Sequence, residues 1–205
     1  MEIMKLEIIS RQTIKPSSPT PDSKKIYKLS LLDLLTANRI YVPIIFFYQN
    51  KEGDNSVDVA QISSVLKKSL SETPTHYYPL AARMKDGVTV ECNDEGAYFS
   101  EARVDFHLEG FLKHPEARDD LDLLVPGEIQ SNSSDMGSLL LIQITVFSCG
   151  GIAIGLRSVR KVADAHSISA FLNDWTTMAP KSGEEISAKL TTFFQPGDSL
   201  SMPEA

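Results

Sequence analysis

Gly151-Ile-Ala-Ile-Gly-Leu-Arg-Ser-Val-Arg-Lys-Val-Ala-Asp-Ala-His-Ser-Ile-Ser-Ala-Phe-Leu-Asn-Asp-Trp175 is the stretch whose two halves obey different periodicities. Its first residues are apolar and β-branched or small, the pattern of a buried strand. Its last residues place Ile168, Phe171, Leu172 and Trp175 at helical spacing, which predicts a helix over 168–178. Between the two lies a charged, polar turn, Val159 to Ser167. A polar turn linking a buried strand to a helix is where α/β proteins commonly place chemistry.

Immediately upstream, Leu139-Leu-Leu-Ile-Gln-Ile-Thr-Val-Phe147 is a second apolar run, separated from the first by Ser148-Cys-Gly150. The pair reads as a hairpin of two central strands. Residues 3–14 alternate loosely and predict a first strand, ended by the prolines of Lys15-Pro-Ser-Ser-Pro-Thr-Pro-Asp22. Ser30 and Asp33 stand at capping-box distance and predict a short helix over Leu31–Leu35. Arg39 to Tyr48 is a continuous apolar run that reads as a strand buried on both faces, although Pro43 points to an edge or a bulge. Residues 57–71 carry a helical stripe closed by Thr73-Pro74. Residues 88–92 and 97–104 read as strands, with Asn93-Asp-Glu-Gly96 as a hairpin turn between them. Residues 105–136 are acidic and irregular and predict a solvated surface. From Ala179 the pattern fades into what reads as a linker. Together the elements predict an α/β fold, a mixed sheet with flanking helices.

The chain has 205 residues, 42% of them hydrophobic, enough to bury a substantial core. Its formal net charge is -7, and no basic block interrupts it, which argues against nucleic acid and anionic membrane as partners. No apolar run approaches the ~20 residues that span a bilayer. The N-terminus lacks a signal-peptide pattern, so the expected compartment is the cytoplasm. Asn132-Ser-Ser134 then reads as a plain polar loop. Cys92 and Cys149 form no CxxC spacing and read as two reduced thiols. No metal-ligand spacing, nucleophile elbow or phosphate loop occurs.

Four histidines are candidates for acid–base work. His107 and His114 fall in the acidic stretch and read as surface residues; His76, among tyrosines, reads as a packed residue. His166 lies two residues after Asp164, at a helix start whose dipole disfavours its protonation. It could act as a base, but it begins the helix instead of following the strand's direction. Asp164 reads as a helix cap or the partner of a cation.

Several segments resemble the plant BAHD acyltransferases, most closely the vinorine synthase-like group. They are Leu29-Ser-Leu-Leu-Asp33 with Tyr41-Val-Pro-Ile-Ile-Phe-Phe-Tyr48, His76-Tyr-Tyr-Pro-Leu-Ala-Ala-Arg83, Asn93 to Ala102, and Cys149 to Trp175. The resemblance implies a chloramphenicol acetyltransferase-like N-terminal domain over residues 1–180, with residues 181–205 opening the interdomain linker. It implies acyl transfer from acyl-CoA, acetyl-CoA above all, to a small-molecule alcohol, with no tightly bound cofactor or metal. In the family's HxxxD motif the His is the general base and the Asp is structural. Here the motif reads Arg160-Lys-Val-Ala-Asp164, so Arg160 holds the base's position and Asp164 the structural one. Arginine stays protonated and offers only donors. The family's second-half motif, DFGWG, does not occur in these residues. Three readings follow. The chain is a half-enzyme with little or no activity, or an enzyme completed by association through its interdomain face, or a non-catalytic binding or regulatory protein that pairs with a full-length relative.

Overall fold

The computed structural model describes residues 4–35, 41–49, 59–73, 77–113, 120–127 and 137–178. At its centre stand β7 (Leu140–Phe147) and β8 (Ile152–Val159), paired antiparallel through the tight turn at Ser148–Gly150. β6 (Ala97–Val104) joins β7 in parallel, β1 (Leu6–Ile14) joins β6 antiparallel, and β3 (Tyr41–Tyr48) joins β8 antiparallel. The order β1-β6-β7-β8-β3 makes a mixed five-stranded sheet. A second sheet, β2-β5-β4, is built from Ile26–Lys28, Thr89–Glu91 and Arg83–Met84.

Alternation along each strand sends side chains to two layers. On one face Leu140, Ile142 and Ile144 of β7 and Ile152, Ile154 and Leu156 of β8 meet two helices. These are α2 (Val59–Glu72) and α4 (Ala165–Met178). Trp175 stacks on Phe171, and its indole N–H donates to the Leu66 carbonyl at 3.2 Å, which binds α4 to α2. On the opposite face, Phe147 and Ala153 meet Leu108 and Phe111 of α3 (Leu108–Leu112), together with Leu124. A polar strap crosses the edge of the first layer: the hydroxyls of Ser10 and Ser63 and the Lys67 ammonium all donate to the Glu101 carboxylate, joining β1, α2 and β6.

Three expectations are corrected. Asn93 to Gly96 does not close a hairpin. β5 and β6 belong to different sheets, and the turn residues serve a crossing between them. Gly96 adopts φ 95°, and a Cβ there would stand 2.4 Å from the Ile14 carbonyl oxygen. Only glycine permits that approach of β1. Turn-forming residues show that the chain changes direction, not which strand it pairs with next.

β3 is half-buried, not enclosed on both faces, because it forms one edge of the sheet. Pro43 is exposed there, where a missing ladder donor is tolerated.

The acidic stretch contributes core as well as surface. Asp122 is exposed and pairs with Arg157 at 3.1 Å, while Leu108, Phe111 and Leu124 are fully covered. Gly155 makes this possible, since a Cβ at that position would lie 2.0 Å from the Leu124 carbonyl oxygen. His114 and residues 179–205 lie outside the described residues, as does His76. Among the described residues, no helix is long and apolar enough to cross a membrane.

Gly155→Ala is therefore expected to push the 121–125 segment off the sheet and cost about 1–3 kcal/mol, the range for forcing extra carbon into a packed interior. Urea unfolding followed by circular dichroism measures it. An unchanged midpoint would show that the segment does not pack on β8.

Candidate active site

The turn after β8 is built by one carbonyl. Val159 O accepts from the amides of Val162 (2.9 Å) and Ala163 (3.1 Å), so the chain reverses within four residues. Val159 itself is fully buried and its amide donates to Leu139 O at 3.0 Å, which fixes the turn to the sheet. Beyond Val159 the side chains separate by environment. Arg160 and Asp164 are exposed, Val162 is half-buried, and Lys161 and Ala163 are buried.

Asp164 caps α4. Its Oδ1 accepts the Ser167 amide at 2.8 Å, and its carbonyl accepts the Ile168 amide at 3.0 Å. That cap draws residues 165–167 into the helix, which accordingly starts three residues before the apolar stripe does. The Asp164 carboxyl lies below its ordinary pKa. The main cause is the Ser167 amide, followed by the Ser167 hydroxyl; desolvation opposes them, and the charges of His166 and Arg160 add to them. His166 is exposed on the first turn of α4, and His107 is exposed just before α3. The turn therefore presents the Arg160 guanidinium, which cannot accept a proton, beside a carboxylate already engaged by the helix.

A short helix, α1 (Leu31–Leu34), flanks this turn. Ser30 and Asp33 form the reciprocal cap expected from their spacing. Leu29 and Leu34 pack inward in the same cluster as Val159 and Val162. Leu31, Leu32 and Leu35 point outward, 83%, 78% and 83% exposed, and make an apolar ledge beside a charged turn. The pattern of residues 29–35 reveals a helix but not which leucines are left uncovered.

Lys161 was not legible as a structural residue. A lysine in a polar turn reads as solvated, yet it is 4% exposed and donates to the Gly87 carbonyl at 2.7 Å. Nothing in the local sequence announces an acceptor 74 positions away.

A cavity of about 230 Å³ lies elsewhere, between β3, β8 and α4. Phe46, Tyr48, Ile154, Leu172 and Trp175 supply its apolar walls, and burial raises the Tyr48 phenol far above its ordinary pKa. Phe46 pairs with Ile154, six residues before Arg160 on an extended strand, so the cavity is remote from the turn. Cys92 is buried beside the small sheet, with its thiol pushed up to about 11 by burial, and Cys149 is half-buried in the β7–β8 turn; both are free thiols.

Comparison with known proteins places this geometry. A transferase family model matches residues 4–196. Stemmadenine O-acetyltransferase of Catharanthus roseus is 39% identical over 208 residues, covering 97% of this chain and 48% of that protein. Vinorine synthase of Rauvolfia serpentina is 42% identical over 177 residues, covering 83% of this chain and 41% of that protein. A crystal structure of vinorine synthase superposes with a TM-score of 0.74 at 38% identity, over 98% of this chain and 50% of its own. TRI101 of F. sporotrichioides, solved with coenzyme A and T-2, shares the fold at a TM-score of 0.60 and 18% identity, over 81% of this chain and 41% of its own. The chain spans about half the length of the relatives it matches.

The cap gives a pH-dependent prediction. A carboxyl whose folded pKa is depressed stabilises the protein above its unfolded pKa, and that contribution is lost as pH falls through the folded value. Asp164→Ala should lower the melting temperature at neutral pH, and the gap to the parent should narrow under acid as the charge is lost. Asp164→Asn, which keeps the acceptor but not the charge, should melt between the two at neutral pH. Thermal melts across the acid range measure both. A gap that persisted unchanged below pH ~3, beneath the ordinary carboxylate range, would refute the assignment.

Proposed function

The chain belongs to the BAHD transferase family, and from that membership we propose that its turn at Arg160–Asp164 is one side of a site for acyl transfer from acyl-CoA to an alcohol, a site which in this chain has little or no turnover. The acceptor is an alcohol of an alkaloid-like or other specialised metabolite. The names of the relatives, stemmadenine O-acetyltransferase among them, support an alcohol acceptor and an acetyl donor. Coenzyme A in the TRI101 complex supports a coenzyme A thioester as co-substrate. On this reading residues 1–180 act as one acyltransferase-like unit and residues 181–205 lead on from it.

Arg160 carries the proposal. In acyl transfer the acceptor oxygen attacks the thioester carbonyl, the C–S bond breaks, and the hydroxyl proton must leave the oxygen as it attacks. A base at the head of the turn would take that proton and return it to the departing thiolate. The Arg160 guanidinium stands at that position in the motif, exposed and permanently charged. Loss of a positioned base slows such reactions by ~10²–10⁴-fold. Asp164 is held by the helix cap, and His166, on the first turn of α4, follows a different direction from the strand end.

A second reading draws on the exposed ledge of Leu31, Leu32 and Leu35. On that reading the chain associates through this face with a full-length relative and regulates it without catalysis. A pulldown with full-length relatives, compared with a Leu31→Ser/Leu32→Ser variant, separates the two readings.

The purified chain should show no acetyl-CoA turnover with alcohol acceptors above the uncatalysed rate, as followed by thiol release. Arg160→His alone should restore little, and so should fusion to the second half of a close relative. Combining the two should raise turnover by about 10²-fold or more over either alone. Robust turnover with Arg160 in place would overturn the account.

A further inference from the structure

The loop between β4 and β5 is fixed from within and holds two other elements. The Asp86 Oδ1 accepts the amides of Val88 (2.9 Å) and Thr89 (2.6 Å), and the Lys85 amide donates to Thr89 O at 2.9 Å. With the tip fixed, two successive carbonyls face different partners. Gly87 O accepts the Lys161 ammonium at 2.7 Å, and Val88 O accepts the Leu29 amide at 3.1 Å. Lys161 follows Arg160 directly, and Leu29 immediately precedes the Ser30 cap of α1. The charged turn and the apolar ledge therefore hang on adjacent carbonyls of one hairpin.

Burying an ammonium is unfavourable unless its donors are satisfied, and a hydrogen bond from a charged donor is worth more than a neutral one. A lysine that is 4% exposed is thus held where its acceptor stands. We infer that Lys161 is a positioning residue, clamping the turn to the Gly87 carbonyl so that residue 160 stands at a set distance from α1. Its meaning for acyl transfer rests on the proposed function, but the clamp itself is a matter of geometry and is tested without turnover. Arg160 is exposed and Lys161 buried, and the clamp holds the two in those environments.

Amide hydrogen exchange by NMR on the whole chain tests this. Lys161→Met should speed exchange at Val162 and Ala163 by about tenfold or more, the worth of a hydrogen bond to a charged group. The β7–β8 ladder amides should stay within about twofold. Lys161→Arg, which restores a long donor, should recover most of the protection. Asp86→Ala leaves Lys161 intact but frees the tip, and should loosen Leu29 together with Val162 and Ala163. Unchanged exchange at the turn in Lys161→Met would overturn the inference, as would uniform loosening of the whole sheet, which marks general structural support. Should Lys161→Met fail to fold, Asp86→Ala decides: protection retained at Val162 and Ala163 overturns the clamp. A chain that turned over acyl-CoA robustly with Arg160 in place and also showed these exchange patterns would refute the proposed function and leave the clamp standing.

Discussion

The antiparallel ladder between β7 and β8 is the constraint to which everything else conforms. Both strands are covered on both faces, so each must find two layers of partners. One layer is α2 and α4, and the other is α3 with the 121–125 segment. Such strands leave little room for charge along their length, where Arg157 of β8 is paired with Asp122, and polar chemistry collects where β8 ends. Gln143, Thr145 and Ser158 are the buried polar residues of these strands, and the Gln143 amide is committed to Leu123 O and Thr145. The position of Arg160 and Asp164 is thus a consequence of packing. They occupy the first residues past the point at which both faces are covered.

That same logic explains what the sequence disclosed. Strands and helices whose burial is periodic could be read directly, and so could the β7–β8 hairpin, because its two partners are separated by three residues. The Asp164 cap was legible for the same reason, its donor lying three positions away. Pairings with distant partners were not. Gly96 chooses between sheets through contacts with Ile14 and Ala81. Gly155 accommodates a carbonyl 31 positions upstream, and so turns part of an acidic surface stretch into core. Lys161 belongs with these. Its residue type suggests solvent, and only the fold supplies the carbonyl that holds it.

The turn separates two properties that families usually combine. Its geometry depends on backbone amides, a cap and a buried lysine, none of which involve the side chain at position 160. On the proposed function its chemistry rests on that side chain alone. A substitution at position 160 would then remove proton transfer and leave the scaffold intact, because an exposed residue at the head of a turn has no packing role to lose.

The packing of α4 has an optical consequence. The chain contains a single tryptophan, Trp175, fully buried, stacked on Phe171 and bonded through its indole nitrogen to the Leu66 carbonyl on α2. Excited at long wavelength, the protein emits from one place, the seam between α2 and α4. The emission reports whether those helices are docked on the sheet and is silent about the small β2-β5-β4 sheet. Far-ultraviolet circular dichroism sums over both. A disagreement between the two signals during unfolding would distinguish loss of the helix layer from loss of the small sheet, with no label added.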